Sequence, residues 1–124
     1  MNLNYFSINE FDSPDLSNSG VNMDSEFLQM LDVARGIAGI PFKISSGYRT
    51  DEYNQSLSAR GYSASPNSSH LKGEAADIVC KSSADRWTIL TALQEAGFRR
   101  IGIAKTFIHV DNDSSKSEEV IWLY

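Results

Sequence analysis

The chain is poor in sulfur, in histidine and in long apolar runs, and each scarcity narrows what it can be. Cys80 is the only cysteine among 124 residues, which excludes an internal disulfide and argues against a thiolate-rich metal site. At the end of an apolar stretch it reads as a small buried residue. No apolar run approaches the roughly 20 residues of a membrane span. Met1 to Phe11 has neither a positively charged leader nor a continuous apolar segment, so no signal peptide is expected and the chain reads as soluble, cytoplasmic until another component releases it. Positive charge is short as well. Eleven Lys and Arg face sixteen Asp and Glu, a net charge of -5, which disfavours non-specific binding to nucleic acid or an anionic membrane.

What is present is sufficient for a folded core. Hydrophobic residues make up 41% and charged residues 22%, near the averages for globular proteins. A chain of this length buries roughly two-thirds of its unfolded surface around one core. One domain over 1–124 is expected, with an irregular arm at about 1–22, where Ser13-Pro14-Asp15 and Ser17-Asn18-Ser19-Gly20 collect turn formers.

Phe27, Leu31, Ala34 and Ala38 recur at three- and four-residue steps and predict an amphipathic helix from Asp24 to Ala38. Pro41 stops it, and Phe42 to Ser45 reads as a short strand. A second helix is predicted from Asp51 to Ala59, followed by a polar loop from Gly61 to Ser69. Ala75 to Cys80 reads as a buried strand. Ser82 with Asp85 resembles a capping box opening a helix that carries Trp87, Leu90, Leu93 and Gln94 and ends at Gly97. Strands follow at Ile101 to Ala104, Phe107 to Asp111 and Val120 to Tyr124, with a polar turn at Asn112 to Ser117. Helices interspersed with a late group of strands suggest an α+β fold with a small antiparallel sheet packed with helices.

The chain has two histidines. His70 lies in a loop seven residues before Asp77 on a predicted strand, and the two can converge on one metal if Gly73 allows the chain to turn back. His109 lies on another strand, where alternation places Phe107, His109 and Asp111 on one face. Two imidazoles and a carboxylate are the ligand type of a catalytic zinc, which keeps a position open for water. The bland alternative is that such histidines are merely solvated or hydrogen-bonded.

Ser68-x-His70-x-x-Gly73-x-Ala75-x-Asp77, followed by His109-x-Asp111 and preceded by Ser46-Gly47-Tyr48-Arg49-Thr50 and Asn54, resembles the zinc D-Ala-D-Ala carboxypeptidase family of the hedgehog/DD-peptidase fold. The resemblance runs from the Phe6 to Asp15 arm through Asp111. It implies one Zn²⁺ per chain, held by His70, Asp77 and His109, and a peptidoglycan stem peptide as substrate. Short members similar to this chain are common among bacteriophage and bacterial wall-lytic proteins, which implies an endolysin-like role and a virion-associated location if phage-encoded; the sequence leaves the oligomeric state open, with a monomer expected. It also implies that Arg49 serves the site, gripping a substrate carboxylate through its planar fork. Tyr48 and Ser68 are expected near the substrate, Tyr48 as a packed aromatic rather than a catalyst and Ser68 as a hydrogen-bond partner of a ligand or of nearby backbone. Asn54 is expected to pin that loop through its amide.

Several relatives place an acid three residues before the last zinc histidine, where this chain has Thr106. Asp111 is the expected substitute as general base, with orientation of a histidine ligand as its rival role and Glu74 as the next candidate. Two other readings compete. One is a non-catalytic domain that keeps zinc for stability or wall binding. The other is a non-haem iron oxygenase using His109-x-Asp111 with His70.

Overall fold

The computed structural model describes residues 2–124. Helix α1 spans Ser25–Ala38, strand β1 Ile44–Ser46, α2 Asp51–Ala59, β2 Ala75–Val79, α3 Ser83–Glu95, β3 Arg100–Ile103, β4 Phe107–Asp111 and β5 Val120–Leu123. Each helix begins where a side chain can replace a missing backbone acceptor. Asp24 accepts from the Phe27 N–H, Thr50 from Tyr53 and Ser82 from Asp85. Gly39, at φ 69°, ends α1 in the left-handed conformation that glycine adopts without strain.

Among the described residues, five strands form one sheet in the order β1-β2-β4-β3-β5. The expected α+β class holds, with one difference: the sheet is mixed, because β5 lies parallel to β3 while the other pairs are antiparallel. The connection at 112–119 carries the chain from the end of β4 past the start of β3 to its far side. A strand that reverses the direction of β4 must then run with β3, since β3 is itself antiparallel to β4.

Alternation along the strands separates two faces. Ala76, Ile78, Ile101, Ile108 and Val110 point to one side, where they join Phe27, Leu28, Leu31, Ile89 and Leu93 from α1 and α3 in the buried core. Phe27 and Phe98 meet edge to face there, with centroids 5.6 Å apart. Trp87 lies outside this cluster, exposed on α3, because Ile89, Ala92 and Leu93 occupy the helix's inward face. Cys80, one residue past β2, is buried as expected.

The N-terminal arm is more ordered than its composition suggests. It forms short 3-10 turns at Ile8–Phe11 and Ser19–Asn22, and it contributes Phe6 and Phe11 to the core. Asp32 on α1, itself buried, accepts from the backbone N–H groups of Asn4 and Tyr5. Gly47 lets the arm cross β1 closely, since a Cβ there would lie 2.7 Å from Phe11 Cα. No helix among the described residues is long and apolar enough to cross a membrane.

Candidate active site

The face of the sheet away from α1 and α3 carries a straight row across all the strands. Ser46 pairs with Asp77, Asp77 with His109, His109 with Gly102, and Gly102 with Trp122. Two of the three expected ligands, Asp77 and His109, therefore stand side by side on adjacent strands. The third comes from a 3-10 turn at Ser69–Lys72, which replaces the end of the expected loop. Ser68 caps this turn by accepting from the His70 N–H, and Gly73 closes it at φ 70°. Gly73 has no substitute here, because a Cβ would come within 2.4 Å of the Asn22 carbonyl oxygen.

His70, Asp77 and His109 are all buried, and one ligand atom from each lies within 4.8 Å of the others. His70 Nε2 is 3.3 Å and His109 Nδ1 2.9 Å from the same oxygen, Oδ1 of Asp77. Tetrahedral zinc with bonds of about 2.0–2.1 Å separates its ligands by roughly 3.3 Å, so the spacing fits such an ion.

The remaining atoms of the trio are occupied in a way that directs these three inward. His70 Nδ1 lies 2.7 Å from the Gly47 carbonyl, which can only accept. The proton therefore sits on Nδ1, and Nε2 presents its lone pair. His109 Nε2 lies 2.7 Å from Asp111 Oδ2, leaving Nδ1 to face Asp77. Asp77 Oδ2 takes a bond from Arg49 Nη2 at 3.4 Å, which leaves Oδ1 free to turn inward.

Electrostatics follow this arrangement. Burial lowers the His70 pKa, only partly offset by Asp77, so its imidazole is neutral as a ligand must be. Burial also works against charge on His109, but hydrogen bonds to Asp111 and Asp77 outweigh it and raise that pKa. Asp77 is raised by burial, yet its close contacts with the two histidines hold it well below the usual carboxylate range. Asp111 is held low in the same way by His109 and Arg100, against the effect of burial.

The family model for Peptidase M15 matches residues 4–111, a span that contains the whole trio and all but one strand of the sheet. The chain belongs to the Peptidase M15 family. The match is to these peptidases as a whole and does not single out D-Ala-D-Ala carboxypeptidases, the narrower group that the sequence resembles. No curated protein matches the sequence. Among solved structures, the L-Ala D-Glu endopeptidase ChiX of Serratia marcescens shares the fold, with a TM-score of 0.54 at 22% identity. The likeness covers 61% of this chain and 62% of that one, less than two-thirds of its length.

The trio of this M15 chain opens onto a cleft of about 480 Å³, walled by Arg49, Tyr62, Ser68, Phe107, Trp122 and Tyr124 among others. Arg49 lies in the wall, but much of its fork is engaged within the chain. Nε bonds Ser46, Nη1 bonds Asn54 and Nη2 bonds Asp77. Asn54 in turn donates to the Ser65 carbonyl at 2.8 Å, pinning the loop through its amide. Tyr48 lies outside the cleft wall, half-buried against the core, with its N–H on the Phe11 carbonyl.

Asp111 does not stand where a general base would. Its side chain is 1% exposed, and it meets His109 at the ring nitrogen opposite the one facing Asp77. Its other oxygen accepts from Arg100 Nε at 2.7 Å and from the Asp113 N–H at 3.1 Å. The expectation that two residues along a strand bring it to a metal's water fails because the imidazole stands between them. The same geometry removes the oxygenase reading, in which His109 and Asp111 would both face the metal. Glu74 lines a different cavity, with Asp24, Asn112 and Glu118.

Asp113 is the residue that sequence reasoning passed over. It is buried and accepts from Ser69 Oγ at 2.7 Å, Lys72 Nζ at 3.0 Å and Ser115 Oγ at 2.6 Å. It thereby ties the His70 turn to the segment that leaves β4. Within the polar run Asn112 to Ser117 nothing distinguished it from a solvated turn residue. Trp122 and Tyr124 were recoverable in principle, since two-residue spacing on a strand puts both rings on one face.

Proposed function

We propose that this chain is a zinc-dependent peptidase that hydrolyses peptide bonds in peptidoglycan stem peptides, as a carboxypeptidase or an endopeptidase. The observation that carries this reading is the buried convergence of His70 Nε2, Asp77 Oδ1 and His109 Nδ1 in a chain of the M15 family. Bound by these three atoms, zinc supplies Lewis acidity for a carbonyl oxygen and makes water a nucleophile near neutral pH. The open cleft beside the trio is where a substrate bond would lie.

The chain's own groups have distinct tasks in this reading. The Gly47 carbonyl and the Asp111 carboxylate fix the tautomers and ring orientations of the two histidines. Arg49 holds the outer oxygen of Asp77. Its two terminal nitrogens each make one contact among the described residues, so each retains an N–H for a substrate carboxylate. The Serratia protein is an L-Ala D-Glu endopeptidase, which makes the bond between L-Ala and D-Glu the first to examine.

The test is digestion of purified peptidoglycan by the zinc-loaded protein, with fragments identified by mass spectrometry. Free D-Ala would identify a carboxypeptidase, and a split between L-Ala and D-Glu an endopeptidase. Unchanged peptidoglycan at full zinc occupancy would overturn the proposal.

A further inference from the structure

Gly102 is the one position in the Ser46-Asp77-His109-Gly102-Trp122 row without a side chain, and its bareness is used. A Cβ on Gly102 would lie 2.6 Å from Trp122 Nε1 and 2.7 Å from Tyr124 Cε2. Both rings therefore lean over naked backbone immediately beside His109. Trp122 reaches 5.5 Å from the His109 ring, centroid to centroid, with the Arg100 guanidinium 5.0 Å from its own centroid. Tyr124 packs on Trp122 at 6.4 Å and on Phe107 at 5.2 Å, and its N–H bonds the Ile103 carbonyl at 3.0 Å. Its ring is thus placed by packing, yet the residue remains 59% exposed and lines the cleft.

The charged groups around that cleft are largely committed. Asp77 is engaged by Arg49 and both histidines, Asp111 by His109 and Arg100, and Lys116 by Asn67, Ser69 and Asp113. Peptide hydrolysis places negative charge on the former carbonyl oxygen, and a pre-positioned donor aimed at that oxygen lowers the barrier. Resting on the peptidase reading above, we propose that Tyr124 is a catalytic residue whose phenol O–H donates a hydrogen bond to the scissile carbonyl oxygen as it becomes anionic. Desolvation of the phenol by the rings packed around it raises its pKa above the ordinary value, so the donor keeps its proton at neutral pH.

Tyr124→Phe retains the ring and removes only the hydroxyl. It should lower kcat by about 10- to 100-fold, with KM and zinc content near those of the parent. A readout independent of turnover is calorimetric binding of a phosphinate dipeptide, whose tetrahedral phosphorus places an anionic oxygen where the transition state would. Its affinity should fall by the same factor while affinity for the planar product peptide is retained. Gly102→Ala, which forces both rings away from His109, should reproduce the kinetic loss. A parent that cuts wall peptides and binds the phosphinate, alongside an unchanged Tyr124→Phe, overturns this assignment alone. A parent that does neither overturns the peptidase reading and this assignment with it.

Discussion

Asp111 and His109, two residues apart on one strand, face each other through a 2.7 Å contact between Oδ2 and Nε2, while the other ring nitrogen turns toward Asp77. The carboxylate thus acts on the ring rather than on what the ring would bind. Asp111→Asn is expected to weaken zinc affinity by about 10- to 100-fold, with wall hydrolysis restored by added zinc. A general base would behave differently, with a loss of about 10²- to 10⁴-fold persisting at saturating zinc. Zinc titration and hydrolysis assays on the same sample separate the two.

Removal of the metal should be legible in stability as well as in activity. A ligand that binds only the folded state stabilises it by RT ln(1 + [L]/Kd), about 4 kcal/mol at a thousandfold excess over Kd. Chelation is therefore expected to lower the melting temperature, and re-addition of zinc to restore it. His70→Ala should melt at the chelated temperature with or without zinc. A melting temperature unmoved by chelator would remove zinc from the trio.

Arg49 joins Ser46, Asn54 and Asp77, so its loss reaches beyond substrate contact. Arg49→Ala strands a buried carboxylate and should cost roughly 1.5–3 kcal/mol in urea unfolding of the metal-free protein. Arg49→Lys keeps the charge but not the fork, and it should also raise KM for wall peptides. Parental KM in Arg49→Lys would confine the residue to structure.

Asp113 sets an acid limit. Burial raises its pKa, but bonds from Ser115, Ser69 and Lys72 more than compensate and depress it. A carboxyl depressed in the folded state stabilises fully above its unfolded pKa of about 3.9, and that contribution is lost as pH falls through the folded value. The melting temperature should therefore drop as pH falls below about 5, and less steeply in Asp113→Asn. Identical slopes would show that the tie between the His70 turn and the 112–117 segment carries no acid sensitivity.

Local pattern was enough for much of this protein. The spacing of Phe27, Leu31 and Ala34 marks α1, the caps at Thr50 and Ser82 mark the starts of α2 and α3, and alternation in β4 puts His109 and Asp111 on one face. These features depend on neighbours a few residues away, as capping and periodicity do. The trio itself was legible because only two histidines exist and each stands near a strand aspartate. Tertiary structure alone decided which atoms face one another. The parallel entry of β5 beside β3 brings Trp122 and Tyr124 over Gly102, and the return of 112–117 brings Asp113 to Ser69 across 44 positions of sequence. A face is a property of strand geometry, but the role of a carboxylate on that face depends on which ring nitrogen it meets. That is set by contacts from Arg100, Gly47 and Arg49 on separate elements, whose convergence no local pattern records.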